Sequence, residues 1–197
     1  MSSAEAQSDM VLSHIEKYFS GVPLVWKQTK DGSVLPFQVL KFADAPFTGG
    51  YTCVTYGLST HIISLASGDV IRAELVMSAE SGFQVDSVVA LLLAVGNYVI
   101  RGHFLSGLCA TLPGEGAVFD NPKFEHIFLS NRWAGSFVFD VLKSTNPYTH
   151  FIRVLPISSS ELDYIKSHSC HSFENELIDQ GINMLELDRR TEVRTKQ

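Results

Sequence analysis

The stretch DVIRAELVM at residues 69–77, followed by QVDSVVALLLAVGNYVIR at residues 84–101, changes its hydrophobic period midway, and that change decides the fold class. In the first part Ile71, Ala73, Leu75 and Met77 alternate with Arg72, Glu74, Val76 and Ser78. A period of two puts the first set on one side of an extended chain, which predicts a strand with one buried face and Glu74 toward solvent. In the second part Val88, Leu91, Leu92, Val95 and Val99 share one helical face, and Val89, Leu93 and Ile100 carry the apolar surface around most of the circumference. A helix of that kind needs cover on two sides: the sheet on one, and a second helix, a loop or a partner chain on the other.

Upstream, Met10, Val11, Ile15, Tyr18 and Phe19 have helical spacing within residues 4–20, and Gly21 with Pro23 supplies a stop. The segments PLVWK, PFQVLKF and YTCVTYGLS read as strands separated by the turn-rich KDGS and ADAPFTGG, with LASG before the strand quoted first. Downstream, a Gly and Pro loop over residues 112–122 leads into three further strands, FEHIFLS, SFVFDVL and THFIRVLPI. Ser158 and Glu161 have capping-box spacing, which predicts a helix start, and a second helix over residues 170–180 ends at Gly181. The segment LELDRRTEV at residues 185–193 reads as a terminal strand. The expected fold is α+β: a single mixed, mainly antiparallel sheet with helices packed on it. Residues 1–22 form an N-terminal helical segment, 23–193 the domain and 194–197 a tail.

At 197 residues, with 45% hydrophobic and 18% charged side chains and 13 Phe, the chain has the apolar content of one well-filled core and not of a disordered segment. A formal charge of −6 disfavours nucleic acid, whose phosphates require clustered Lys and Arg, and suits a basic protein partner. Cys53, Cys109 and Cys170 show no CxxC spacing, so a reduced intracellular protein is expected. The start MSSAEAQSDM lacks the pattern of a signal peptide, and the longest apolar run, residues 88–96, is about half of the ~20 residues a membrane span requires. A cytoplasmic protein with no membrane contact follows as the expectation.

Several side-chain groups invite a chemical reading. His168-Ser169-Cys170-His171 has metal-capable side chains, but a structural zinc site needs a second ligand pair, so a helix-to-helix turn with a half-buried Cys is expected and no metal or cofactor. Ser, His and Asp occur without a GxSxG elbow, and Ser106-Gly107-Leu108-Cys109 matches no catalytic signature. His126, between Phe124 and Phe128, reads as a hydrogen-bonded core histidine. Pro113-Gly114-Glu115-Gly116 lacks the Gly-Lys-Ser/Thr ending of a phosphate loop and reads as surface. Glu74 and Asp140 both fall in strands, with nothing to place them side by side. Arg189, Arg190, Arg194 and Lys196 make a small basic terminal patch. Trp133, on the turn Asn131-Arg132-Trp133-Ala134-Gly135, is of the type that anchors interfaces.

The segments YGLS (residues 56–59), Glu74-Leu75, the helix ending near Tyr98-Val99, Phe128-Leu129, Glu161-Leu162 and Asp188-Arg189-Arg190 occur in the order and spacing of the Suppressor of fused domain, which this chain resembles over residues 37–193. The resemblance implies a mixed sheet with helices on it and a role in protein binding. Animal members hold a transcription factor by adding a peptide strand between two domains, of which only the first is matched, so no clasp residue carries over. Single-domain bacterial members look like immunity proteins that neutralise a toxin.

The leading expectation is therefore a non-enzymatic binding protein, an immunity protein whose partner is a toxin domain. Glu115 and Asp120 on the 112–122 loop and Trp133 are the candidate contacts. The alternatives are a scaffold that captures a peptide by strand addition and an uncharacterised hydrolase, the latter requiring Glu74, His126 and Asp140 in one pocket.

Overall fold

The computed structural model describes residues 3–29, 32–101, 107–112, 123–132, 139, 141–184 and 193. Helix α1 (Ser3–Ile15) precedes strands β1 (Leu24–Gln28), β2 (Val34–Ala43), β3 (Gly50–Tyr56), β4 (Ile63–Ser64) and β5 (Val70–Glu80). Helix α2 (Val85–Ile100) then leads to β6 (Cys109–Leu112), β7 (His126–Ser130) and β8 (Thr149–Ile157), and the chain continues as α3 (Ser159–Ser167) and α4 (Cys170–Asp179). The sheet runs β1-β2-β3-β5-β8-β7-β6, with β4 beside β5. Its pairs are antiparallel except β5 with β8, so the sheet is mixed and mainly antiparallel as expected. Two short strands, β4 and β6, went unpredicted, and most of SFVFDVL lies outside the described residues.

Both faces of the sheet are covered, and strand parity decides which side chains go where. Ile71, Ala73, Leu75 and Met77 meet Val88, Leu91, Leu92 and Val95 of α2. Val76 and Phe151 point the other way, into Val11 and Ile15 of α1 together with Leu40, Phe42 and Val54. On that second face, farther across the sheet, Phe128, Leu155 and Ile157 pack against Leu162, Ile165, Phe173 and Leu177 of α3 and α4. The prediction that β5 has one buried face is thus corrected. With β3 and β8 as its neighbours and helices above and below, β5 is central, and its second face is buried too.

Glu74 lies on that face and is completely buried, not solvent-facing. Four donors converge on its carboxylate. Thr55 Oγ1 donates to Oε2 at 2.6 Å, while Oε1 accepts from the Gly57 N–H and the Ser59 N–H, both at 3.1 Å, and from Ser59 Oγ at 2.7 Å. Gly57 has φ +94°, a conformation that side chains resist, and it turns the chain after β3 so that these donors face inward. Arg72 on the same strand donates to the Ser59 and Thr60 carbonyls at 2.8 and 3.1 Å, closing the turn from the other side.

The caps follow the sequence. Ser158 Oγ accepts from the Glu161 N–H at 3.3 Å and the Ser158 N–H donates to Glu161 Oε2 at 3.0 Å, completing the capping box. Glu161 Oε1 also accepts the N–H of Val193 at 3.3 Å, which ties the C-terminal segment to α3. Gly181, at φ +62°, ends the last turn of α4 with the Ile182 N–H donating to the Leu177 carbonyl at 2.9 Å.

Burial pushes the Glu74 carboxyl up from its ordinary 4.5 to about 7, with the four hydrogen bonds opposing that shift. The folded state therefore holds this proton more tightly than the unfolded chain. The group's contribution to stability is greatest below pH 4.5 and declines as the pH rises toward 7, by an amount on the order of 3 kcal/mol. Urea unfolding between pH 5 and 7.5 should show that decline, and Glu74→Gln should flatten it. Glu74→Ala strands four buried donors and should cost about 3–5 kcal/mol. Gly96 of α2 sits where an added methyl would come within 2.4 Å of the buried Phe37 ring. Gly96→Ala should therefore lower stability by ~1–2 kcal/mol in the same assay, despite a helix-propensity gain of about 1 kcal/mol.

Candidate interaction surface

β1 ends the sheet. It pairs with β2 on one side through Leu24↔Lys41, Val25↔Leu40 and Trp26↔Val39, and then slips register so that Gln28 meets Val34. Its opposite side is an edge whose backbone groups have no strand partner among the described residues. A free edge is a template for another chain, and proteins usually blunt it with charge or with short length. β1 is short and carries Lys27, yet Leu24 is 60% exposed and Val34, across the ribbon, is 71% exposed. Val22 and Val25 extend the same apolar margin.

Between this ribbon and the outer flank of α2 lies a cleft of about 680 Å³, bounded by Trp26 and Leu35 on the strand side and by Val89, Leu93, Asn97 and Arg101 on the helix side. Asp86 at the start of α2 and Arg101 at its end mark the limits, so the cleft follows the helix for ~20 Å at 1.5 Å per residue. The charges complement the helix dipole, Asp86 at the positive end and Arg101 at the negative end. On the opposite face a shallower recess of about 320 Å³ is edged by Ser8, Lys27, Gln38, Tyr56 and Thr60. β1 is thus flanked by a hollow on each side, Trp26 and Gln28 bordering one and Lys27 the other. The second side of α2, for which the sequence demanded cover, is met in part by Trp26 and Leu35 and otherwise opens into the cleft.

The larger cleft holds one acid and one guanidinium at opposite ends, and the smaller one a lysine and a tyrosine. Glu74 and His126 do not converge. Glu74 aligns with Phe151 and His126 with Ile157 along β8, six residues or roughly 20 Å apart. Asp140 lies outside the described residues. His126 is also corrected. It is not a core histidine but a half-buried one at the end of β7, where its Nε2 lies 3.1 Å from Ser159 Oγ. Glu115, Asp120 and Trp133 all lie outside the described residues.

A second polar group sits under α4. Glu174, nearly fully buried, accepts from Ser130 Oγ and from Arg132 at 3.0 Å, and Arg132 also contacts His171 Nδ1. Arg153 of β8 reaches Met184 Sδ at 3.1 Å. Burial pulls Arg153 down from its ordinary range, and Glu174 opposes that shift. His168 caps α3 and stacks on Tyr164 at 4.3 Å, and Ser169 caps α4, so HSCH is the expected turn between helices. Among the described residues no three metal-capable side chains gather, and no helix is long and apolar enough to cross a membrane.

Sequence reasoning missed the cleft because Trp26 and Leu35 belong to two separate short segments. The one signal for it was the apolar circumference of α2, which exceeds what a single sheet face covers.

A family model for Suppressor of fused protein (SUFU) matches residues 34–190. Immunity protein YqcF of Bacillus subtilis (strain 168) is 24% identical over 177 residues, which span 89% of this chain and 91% of that protein. The fold is similar to that of a SUFU homologue from Neisseria gonorrhoeae, with a TM-score of 0.70 at 17% identity over 98% of this chain and 100% of the other. The Sufu-Fu complex structure gives 0.66 at 14% identity, covering 96% and 91% of the two chains. Drosophila Suppressor of Fused gives 0.67 at 14% identity over 93% of this chain and 50% of that longer one. The matched span takes in the Gly57 turn, the buried Glu74 and the Glu161 cap, and the chain belongs to the Suppressor of fused family.

Proposed function

We propose that this chain is a non-enzymatic protein-binding module and, more narrowly, an immunity protein that neutralises a toxin domain by direct contact. The observation that carries this reading is the similarity to Immunity protein YqcF across nearly the whole of both chains. The physical features agree with it. An exposed apolar edge beside a 20 Å cleft offers shape and backbone hydrogen bonds to a partner, and the net charge of −6 favours rapid capture of a basic one. Glu115, Asp120 and Trp133 are further proposed contacts.

The direct test isolates the partner from the native host with tagged protein and co-expresses the partner's toxin domain with this chain in a sensitive strain. Growth should be restored and the two proteins should co-purify. Unrescued growth with no complex contradicts the reading.

Peptide capture by strand addition is a second reading, favoured by the open β1 edge with a hollow on each face and by the occurrence of a complex, Sufu-Fu, among the structures of the same fold. Short extended peptides from the partner then suffice for binding, whereas an immunity protein requires the folded toxin domain. In either case Leu24→Lys with Val34→Lys should weaken binding at least tenfold, as read by calorimetry, while changing stability by no more than about 0.5 kcal/mol, because both side chains are largely exposed.

A further inference from the structure

We propose that the β1 edge and the α2 cleft take an extended segment of the partner protein, about seven residues long, with an acidic first side chain, apolar third and fifth ones and a basic seventh, paired antiparallel with β1. This deepens the peptide-capture reading, on which it rests, by giving the bound segment a direction and a sequence. β1, β2, β3 and β5 pair antiparallel in succession, so β5 runs opposite to β1. After β5 the chain reverses within residues 81–84, and α2 runs back in the direction of β1. Its level along the ribbon is fixed by Gly96, which faces the Phe37 ring. Phe37 lies two residues before Val39, the partner of Trp26, and so beside the Gln28 end of β1. Arg101 therefore stands at the Gln28 end of the cleft and Asp86 at the Leu24 end.

Both end charges are exposed, and among the described residues neither makes an ion pair. An extended strand covers the ~20 Å between them in about six steps of ~3.4 Å, so its residues i and i+6 reach the two ends. Because six is even, those two side chains leave the same face of the strand, the face that looks into the cleft as Trp26 and Gln28 do. Positions i+2 and i+4 then lie over the apolar walls, Trp26 and Leu35 on one side and Val89, Ala90, Leu93 and Ala94 on the other. Antiparallel addition continues the pattern of β1, β2, β3 and β5 and is the more stable pairing per residue. A strand so oriented starts at Gln28 and ends at Leu24, which brings its first residue to Arg101 and its last to Asp86. An acid first and a base last complement the cleft, and the reverse order sets like charges together at both ends. A helix lodged in the cleft would leave the β1 backbone unpaired, so the edge selects a strand.

A synthetic heptapeptide with blocked termini, Glu-Thr-Val-Ser-Val-Thr-Lys, titrated into the full chain by calorimetry, is the test. It should bind saturably at low salt and about fivefold more tightly than Lys-Thr-Val-Ser-Val-Thr-Glu, a preference that fades above ~0.5 M NaCl. Exchanging the charges of the cleft, Asp86→Lys with Arg101→Glu, should invert the preference by a similar factor, and Arg101→Gln alone should reduce it about twofold. A nitroxide at the N-terminus of the peptide should broaden the resonances of Gln28 and Ser33, and one at its C-terminus those of Leu24. Equal affinity for the two peptides, the opposite pattern of broadening, or a peptide that turns helical on binding overturns the proposal. Absence of peptide binding while a toxin domain still co-purifies also overturns it and leaves the immunity reading standing. Peptide binding of the stated preference without any toxin complex supports it and removes the immunity reading.

Discussion

A carboxylate with no water around it holds the middle of this molecule together. Glu74 lies on the central strand of the sheet, fully buried, and among the described residues its desolvation is offset by the four donors brought to it by the end of β3 and the turn that follows. That arrangement fixes the Gly57 turn, and the turn in turn supports α1, since Gln7 Nε2 donates to the Ser59 carbonyl. Arg72 grips the same carbonyl. Strand, turn and N-terminal helix are therefore positioned by one buried carboxyl group. The same device recurs at smaller scale with Glu161, which joins the α3 cap to Val193, and with Glu174, which joins α4 to Ser130 and Arg132.

These buried acids make the centre rigid and leave adaptability to the margins. β3, β5 and β8 are paired on both sides and packed on both faces, so they offer little to a partner. Among the described residues, β1 and β6 end the sheet. β1 carries exposed apolar side chains beside a cleft, and Cys109 of β6 is half-buried at the margin of the α3–α4 core.

Much of the fold was legible in the sequence. The switch of period between residues 69–77 and 84–101 identified β5 and α2, THFIRVLPI matched β8, and Ser158 with Glu161 marked the start of α3 because the capping box is a local device. Burial of the second face of β5 was not legible. An Arg-Glu alternation looks solvent-exposed until tertiary donors are known, and Thr55, Gly57 and Ser59 come from another strand and turn. β4 and β6, at two and four residues, carry too few side chains to show a period. The cleft was invisible for the same reason: Trp26 meets α2 only after the sheet has formed. The dispersed segments that resemble the Suppressor of fused domain now have a physical connection, since YGLS and Glu74 are two halves of one hydrogen-bonded unit.

The proposed binding role depends most on contact through the β1 edge and the α2 cleft, and hydrogen–deuterium exchange on the chain alone and bound to the proposed toxin partner tests that directly. Amides of residues 22–28 and 33–35, with the outer flank of α2, should become protected in the complex while those of β5 and β8 remain slow throughout. Unchanged exchange at residues 22–28 and 33–35, with new protection confined to the α3–α4 face, would contradict it.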